Sequence, residues 1–475
     1  MEFLNHTPFP AVAFEGLTPD GQPFHVLALK QTYRFDADGA LSFDDEQQPL
    51  LERDQYTGPL NESAVAAESD YCHFKPRCDV LVTGRAHPPS GIRSTHFDVR
   101  LVVRRPEQPV PIPPRPEPAN ALFGLTPTEL VQWERAVAQA RATPPRSEVL
   151  LDKTLRVHGE RWLKRKLWPV RALQSLLRLG SFGLLKPNPW RLTEAARVSP
   201  IALTAEYAFG GQAKVHIGDA SPRKVPKRHY VPNVEYQRLK EHHQATGENP
   251  LLAHAQWDAN HVGRGFVTHW FLKATRPRQL PAPLIEYPNQ PFTADQFWQV
   301  AQGAVQVADA AAPKTASLDV VQKVWLPRRN LLGTVDQAFI RSEAPLPQDF
   351  DFAYWNAAAS DQQCPRLKGN EVLQLTHLTP EGGLRLTLPG HEVYAFARYD
   401  NDEIQNLPMY IDTVLIDTEQ RRLMLTWRLA VTKGEAAITT LEACMSDKEA
   451  VAAYQAALQN ISQTLGIPEA ELLNG

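Results

Sequence analysis

Met409-Tyr-Ile-Asp-Thr-Val-Leu-Ile-Asp417, a four-residue turn, then Arg422-Leu-Met-Leu-Thr-Trp-Arg-Leu429: the fold is read from this stretch. Leu423, Leu425, Trp427 and Leu429 fall on one side of an extended chain, and Arg422, Thr426 and Arg428 on the other. A period of two is what a half-buried strand imposes, because successive side chains leave opposite faces of the pleat. The same pattern runs from Phe24 to Phe35, with Leu27, Leu29, Tyr33 and Phe35 opposed to Lys30, Thr32 and Arg34. Asp36-Ala-Asp38-Gly39 then marks a turn, and Leu41-Ser-Phe43 begins a return strand. Weaker copies of the signal lie at Asp79–Thr83, Phe97–Val103, Leu155–Val157 and Ile201–Phe209. Leu384, Leu386 and Leu388 before Pro389-Gly390, followed by Val393–Arg398, read as a hairpin. The expected fold is mainly β, with antiparallel sheets in a sandwich-like arrangement, helical insertions and a C-terminal helix.

Helices are few and marked by their caps. Thr126-Pro-Thr-Glu129 is a capping box with proline in the first turn, followed by Leu130, Trp133, Val137 and Ala140 at helical spacing. It lies between proline-rich stretches, so it reads as an insertion into a sheet domain. Trp162–Leu185 is basic and leucine-rich, and a helix is expected from near Pro169. Thr293–Ala311 is a further helix candidate. Ser446-Asp-Lys-Glu449 would cap a C-terminal helix whose seam is Val451, Tyr454, Leu458, Ile461 and Leu465. The resulting division is an N-terminal β region (1–105), a proline-rich insertion with a helix (106–150), and a basic segment with a central β region (151–290). A helical segment (291–320), a C-terminal β region (321–430) and the C-terminal helix (431–475) complete it.

Composition narrows the function classes. Fifty basic against 53 acidic groups give a net charge of −3, which disfavours a protein that coats nucleic acid. Four cysteines in 475 residues, none spaced Cys-x-x-Cys, exclude a disulfide scaffold and argue against a zinc ribbon. The N-terminus lacks the basic start and apolar run of a secretory signal, and no 18-residue apolar stretch occurs, so a cytoplasmic protein without stable membrane insertion is expected. Forty-one prolines limit long helices and favour short strands joined by stiff turns. The charge is uneven. Residues 1–70 carry 13 acidic groups against Lys30, Arg34 and Arg53, whereas 153–191 carry ten basic groups against Glu160 alone. These regions either satisfy each other within the fold or present opposite faces to partners.

Phosphate-loop, dinucleotide-binding, nucleophile-elbow and zinc-protease signatures are missing from the sequence, and no cofactor is expected. His242, His243, His254, His261 and His269 crowd into 28 residues with Asp258 among them, but their spacing matches no familiar ligand pattern, so they read as loop histidines. A metal-dependent hydrolase using this region is the alternative kept open. Cys72, Cys78, Cys364 and Cys444 read as structural thiols. Asp349, Asp351, Asp412 and Asp417 read as carboxylates that hold turns rather than as an acid/base pair. The glycine-rich loops Glu206-Tyr-Ala-Phe-Gly-Gly211 and Asn260-His-Val-Gly-Arg-Gly-Phe266 permit close backbone approach, either as an internal crossing or against a partner's main chain.

These loops belong to a longer series. Asn5-His-Thr-Pro-Phe9, Leu29–Tyr33, Glu68-Ser-Asp70, Lys75-Pro76, Asp79–Gly84, Glu206–Gly211, Gly263–Phe266 and Gly333–Asp336 come first. Pro345–Asp351, Asn356-Ala-Ala, Asp361-Gln-Gln363, Leu378–Gly382, Ile411–Asp417 and Trp427-Arg428 follow in order. In this the chain resembles an uncharacterised-domain family encoded beside PAAR-like spike-tip proteins and toxic effectors in bacterial type VI secretion clusters. His261 stands where that family's second glycine loop has proline, and the inserts at 104–147 and 161–190 are larger than usual. The resemblance implies a cytosolic effector chaperone or adaptor that binds a PAAR-like effector and loads it onto the secretion spike, with no catalytic residue carried over. Protein contacts are then expected at Glu206, Tyr207, Phe209, Gly210 and Gly211, and at Asn260, Gly263, Arg264, Gly265 and Phe266. Arg161, Lys164, Arg165 and Lys166 form a second expected surface.

Overall fold

A computed structural model describes residues 1–60, 62–107, 111–116, 126–143, 145, 147–167, 188–216, 225–229, 238, 241–242, 244–434 and 436–446. The hairpin expected over 409–429 is present: Tyr410–Asp417 pairs with Arg422–Thr432. Arg422–Thr432 pairs in turn with the long strand Pro23–Phe35 over eleven residue pairs from Arg422↔Arg34 to Thr432↔Phe24. The seven-stranded sheet runs Ala11–Leu17, Pro23–Phe35, Arg422–Thr432, Tyr410–Asp417, Cys78–Thr83, Gln363–Cys364, with Leu41–Phe43 also beside Pro23–Phe35. Its one parallel pairing joins Tyr410–Asp417 to Cys78–Thr83. A five-stranded antiparallel sheet is ordered Ile285–Glu286, Val149–His158, His96–Arg104, Val372–Thr376, Gly383–Thr387. A four-stranded sheet is ordered Glu2–Asn5, Ile438–Ser446, Glu392–Tyr399, Ile404–Pro408.

The alternating apolar faces of all three sheets meet in one core. Leu27, Leu29, Leu423, Leu425, Val414 and Ile416 come from the first sheet, and Val99, Leu101, Leu155, Leu373 and Leu386 from the second. Val393, Ala395, Leu441 and Ala443 come from the third. Each fully buried aliphatic side chain contributes about 1.5–3 kcal/mol. A mainly β, sandwich-like architecture is therefore what the period-two pattern builds. A second core, with Leu163, Trp190, Phe209, Trp257, Phe292 and Phe297, lies in the middle third of the chain.

Several expectations change. Leu384–Leu388 and Val393–Arg398 do not form a hairpin: Gly383–Thr387 pairs with Val372–Thr376, and Glu392–Tyr399 belongs to the other sheet. Both strands turn an alternating face to the same core, so their pattern is identical for a hairpin and for a crossover between sheets. Trp162–Arg165, read as part of a basic helical stretch, is a strand between Trp190–Leu192 and Gln279–Pro281. The helix expected from near Pro169 and the C-terminal helix lie outside the described residues, and Ser446 ends a strand, Ile438–Ser446. Ile201–Phe209 is interrupted by a 3-10 turn, Ala205–Tyr207. The helix in Thr293–Ala311 covers only Ala294–Ala301, because Gly303 turns left-handed (φ +73°) directly after it. Thr126 and Glu129 do form the capping box of Pro127–Ala142, a helix that buries none of its residues. Among the described residues no helix is long and apolar enough to cross a membrane.

Candidate functional site

The core-averted face of the seven-stranded sheet carries a buried layer of charge. Register places Lys30 beside Thr426, Thr426 beside Thr413, and Thr413 beside Asp79, a polar row across four strands. Two residues along each strand the row becomes Thr32, Met424, Leu415 and Leu81, which is largely apolar. Segment 48–75 lies over these rows and supplies Asp70 and Lys75, whereas the partner of Arg428, Asp412, belongs to the sheet. Lys30 pairs with Asp70 and also donates to the Pro49 carbonyl (3.2 Å). Lys75 Nζ donates to Asp79 (2.9 Å) and to Thr413 Oγ1 (2.8 Å). Arg428 pairs with Asp412 and donates to the Cys72 carbonyl (2.8 Å). The Asp79 carboxylate further accepts Asn356 Nδ2 (3.0 Å) and the backbone N–H groups of Ala357 (2.8 Å) and Ala358 (3.1 Å). To the side, Arg328 and Lys323 converge on Glu68 at 2.7 and 3.2 Å.

Desolvation of so many charges is tolerable only because each is paired and hydrogen-bonded. Burial by itself would push the Lys75 ammonium pKa down, but Asp79 and Asp412 outweigh it and hold the value well above the ordinary lysine range. Arg428 is likewise desolvated, and Asp412 holds it above the usual guanidinium value. Burial pushes the Cys72 thiol up, so it is not a reactive thiolate. These cations stay protonated, so neither serves as a general base. They can hold a group, not take its proton.

Beside this layer is a cavity of about 330 Å³. Leu81, Leu415 and Met424 of the sheet line it together with Leu51, Ala66 and Val320, and Lys30, Glu68, Asp70, Lys75, Thr413, Asp417, Thr426 and Arg428 line its polar part. Ala66 and Ala67 are half-buried, which places part of its wall at the surface.

The residues expected to contact a partner sit elsewhere, around the second core. Phe209 and Gly210 pair in parallel with Arg264 and Gly265. The two main chains are drawn in close: Gly211 N donates to Asn260 O (2.8 Å) and Phe266 N to Gly210 O (2.9 Å). A Cβ on Gly210, whose φ is +155°, would lie 2.4 Å from Asn260 O. Asn260 is fully buried and donates to the carbonyls of Ala205 (2.8 Å) and Phe209 (3.1 Å). The loops thus cross inside the molecule, with Gly263 and Phe266 half-buried. Tyr207 lies under the Arg264 guanidinium at 4.4 Å, and Arg264 reaches Glu160 at 3.3 Å. Glu206 accepts from Ala64 N (2.9 Å) and Thr57 Oγ1 (3.1 Å), tying the crossing to the segment over the charged layer. Arg161 is buried, donating to Pro283 O (2.7 Å) and pairing with Glu286. Although burial opposes it, His158 and Arg161 bring the Glu286 pKa down to about 2. Lys164, Arg165 and Lys166 are half-buried, with Arg165 over the Trp190 ring at 5.3 Å. The two expected surfaces adjoin through Pro283, which lies against Gly265 and accepts from Arg161.

The histidines do not converge. His242 pairs with exposed Glu248, His254 meets Gln212, His261 is buried 4.0 Å from Asp258, and His269 stands edge-on to Trp298; His243 lies outside the described residues. No group of three His, Cys, Asp or Glu is arranged to hold a metal ion among the described residues. Acidic residues of 1–70 find cations, but among the described residues none of these comes from 153–191: Lys30 pairs with Asp70, Arg34 and Arg422 with Asp44, Arg422 with Glu46, Lys214 with Glu62 and Lys433 with Glu15. Asp417 holds a backbone N–H of its own turn, Asp349 accepts from the N–H and hydroxyl of Thr334 in another loop, Asp351 caps a 3-10 turn, and Asp412 holds Arg428. Sequence reasoning passed over Lys30, Asp70, Lys75, Asp79 and Arg428 as site residues. The available signal was Asp79 at the head of the apolar run Val80-Leu-Val82, where an unpaired carboxylate would be costly.

Many of the short stretches noted in the sequence meet at this layer: 68–70, 75–76, 79–84, 356–358, 411–417 and 427–428. A model of the bacterial family described as "Uncharacterized protein conserved in bacteria (DUF2169)" matches residues 20–112 and 135–428. The chain belongs to that family. The match includes both sides of the charged layer and the glycine crossing, and it omits 113–134, where the helix Pro127–Ala142 begins. No curated protein and no solved structure matches the chain.

Proposed function

We propose that this protein is a type VI secretion adaptor: a cytoplasmic chaperone that binds a PAAR-like effector and promotes its loading onto the secretion spike. The observation that carries the reading is the charged layer itself. Lys75 and Arg428 are held protonated and the layer's carboxylates are spent on cations and on backbone N–H groups, so it braces a binding surface and is not equipped to move protons. The adjoining cavity, with an apolar floor and polar flank, is suited to gripping part of another chain. The resemblance to effector adaptors supplies the identity of that chain. A carrier must also let go, which favours a modest interface over one that resembles a protein core.

The test is co-expression with the PAAR-like effector encoded beside the gene. The two should co-purify as a stable complex through affinity and size-exclusion steps, and deletion of the adaptor should abolish secretion of that effector while leaving the apparatus active. Separate elution of the two proteins, with secretion unchanged on deletion, would contradict the proposal.

A further inference from the structure

We propose that the cavity over the seven-stranded sheet receives a large, uncharged apolar side chain of the bound polypeptide together with a neighbouring main-chain carbonyl. This rests on the reading that the chain grips another polypeptide, and it names what is gripped. Three features of the cavity select that chemistry.

The first is charge. The three cations in or beside the cavity, Lys30, Lys75 and Arg428, are each matched by a carboxylate: Asp70, Asp79 and Asp412. Of the other carboxylates on the wall, Glu68 is met by Arg328 and Lys323, and Asp417 by the backbone N–H groups of Glu419 and Gln420. Every cation of the wall is therefore paired, an incoming anion would be desolvated without a free one, and a neutral acceptor is preferred. The second is the donor inventory. An ammonium offers three N–H donors. Lys30 spends two on Asp70 and Pro49 O, and Lys75 spends two on Asp79 and Thr413. Both side chains line the cavity and each retains one N–H, so the polar flank asks for an acceptor, which a peptide carbonyl provides. The third is shape. The register places Met424, Leu415 and Leu81 side by side, one row from the polar flank, and Leu51 and Val320 close the space. At about 330 Å³ it lies at the small end of ligand pockets, which run from about 300 to 1,000 Å³. That suits one residue rather than a cofactor. Met424 is unbranched and polarizable, a side chain that adapts to different apolar guests.

The sequence supplies a reporter. There are only four methionines, Met1, Met409, Met424 and Met445, and of these only Met424 lines the cavity. Methyl-labelled methionine in the full chain, with the Met424 signal assigned through Met424→Leu, can be titrated with N-acetyl-L-leucinamide, a neutral residue with a peptide carbonyl. The expected result is a saturable shift of the Met424 methyl in the millimolar range, with Met409 and Met445 unmoved. The charged analogue N-acetyl-L-leucinate should bind distinctly more weakly. Ala66→Leu, which fills the cavity from its half-buried wall, should abolish the shift; unchanged Met409 and Met445 signals show that this variant is folded. A Met424 signal that stays still, or that drifts linearly with all the others, overturns the proposal, as does equal binding of the anion.

Capture of the effector separates this inference from the function on which it rests. Ala66→Leu should capture markedly less effector than the wild type. Equal capture by both would remove the cavity from the interface and leave the adaptor reading standing. A wild-type chain that captures no effector, whatever the Met424 methyl does, would count against the adaptor reading itself.

Discussion

Two parts of this molecule bury what proteins ordinarily leave in water, and they do so by different means. Above the seven-stranded sheet the buried groups are side-chain charges, each satisfied by another side chain: Lys30 by Asp70, Lys75 by Asp79, Arg428 by Asp412. At the glycine crossing the buried groups are main-chain carbonyls and amides, satisfied by Asn260 and by the opposing strand. The difference has consequences. Side-chain pairs can be exchanged for apolar pairs of similar volume, whereas a crossing that leaves no room for a Cβ on Gly210 cannot be rebuilt one residue at a time.

The most damaging way to break the comparison is to strand one charge. Asp412→Leu leaves Arg428 buried without its counter-ion and should cost about 3–5 kcal/mol in urea unfolding. Arg428→Met combined with Asp412→Leu should recover most of that loss; a double variant as unstable as the sum of the singles would show that the pair is not exchangeable.

A titration comes next. Asp319 is fully buried where the crossing begins and accepts from Ala205 N at 2.9 Å. Burial raises its pKa to about 6 against the lowering effect of hydrogen bonds from Ser317 and Ala205. A carboxyl whose folded pKa exceeds its unfolded value gives its full stability below pH 3.8, loses it as the pH rises to about 6, and contributes no slope above that. Asp319→Asn keeps the acceptor and removes the ionisation. The stability of the variant relative to wild type should therefore rise by about 2 kcal/mol between pH 4 and pH 7. A difference that stays flat with pH would show that Asp319 does not carry this penalty.

Asn260→Ala sharpens the other half of the comparison. It leaves the carbonyls of Ala205 and Phe209 without their donor and should cost about 2 kcal/mol. The smallest effect is expected where charges are paired but wet: Arg100→Ala removes an exposed bidentate pair with Asp152 and should change stability by less than about 1 kcal/mol. Urea midpoints measured on both variants check these values.

How far the sequence shows these features depends on which face of a strand is considered. Alternation at 423–429 and 27–35 names the core residues correctly, because an apolar face must be buried somewhere. It says nothing about whether the polar face meets water, and Lys30, Thr32, Thr426 and Arg428 are nearly as buried as the leucines opposite them. Their cover comes from segment 48–75, more than 300 residues away from Arg428 in the chain, and no local pattern announces such a contact. The crossover at Leu388–Gly390 was hidden for a related reason: periodicity records the side of a strand that is buried, not the strand beside it. The capping box at Thr126, which depends on residues three positions apart, was legible; the helix after Thr293 was legible as a candidate, although neither its capping box nor its length was.

Hydrogen–deuterium exchange on the full chain, free and bound to its neighbour-encoded PAAR-like effector, tests the central claim most directly. If cargo is gripped over the charged layer, amides of segment 48–70 should exchange more slowly in the complex, with the glycine crossing unchanged because it is already closed. A stable complex that leaves 48–70 at its free rate and protects another surface, or the failure of any complex to form, would contradict the account.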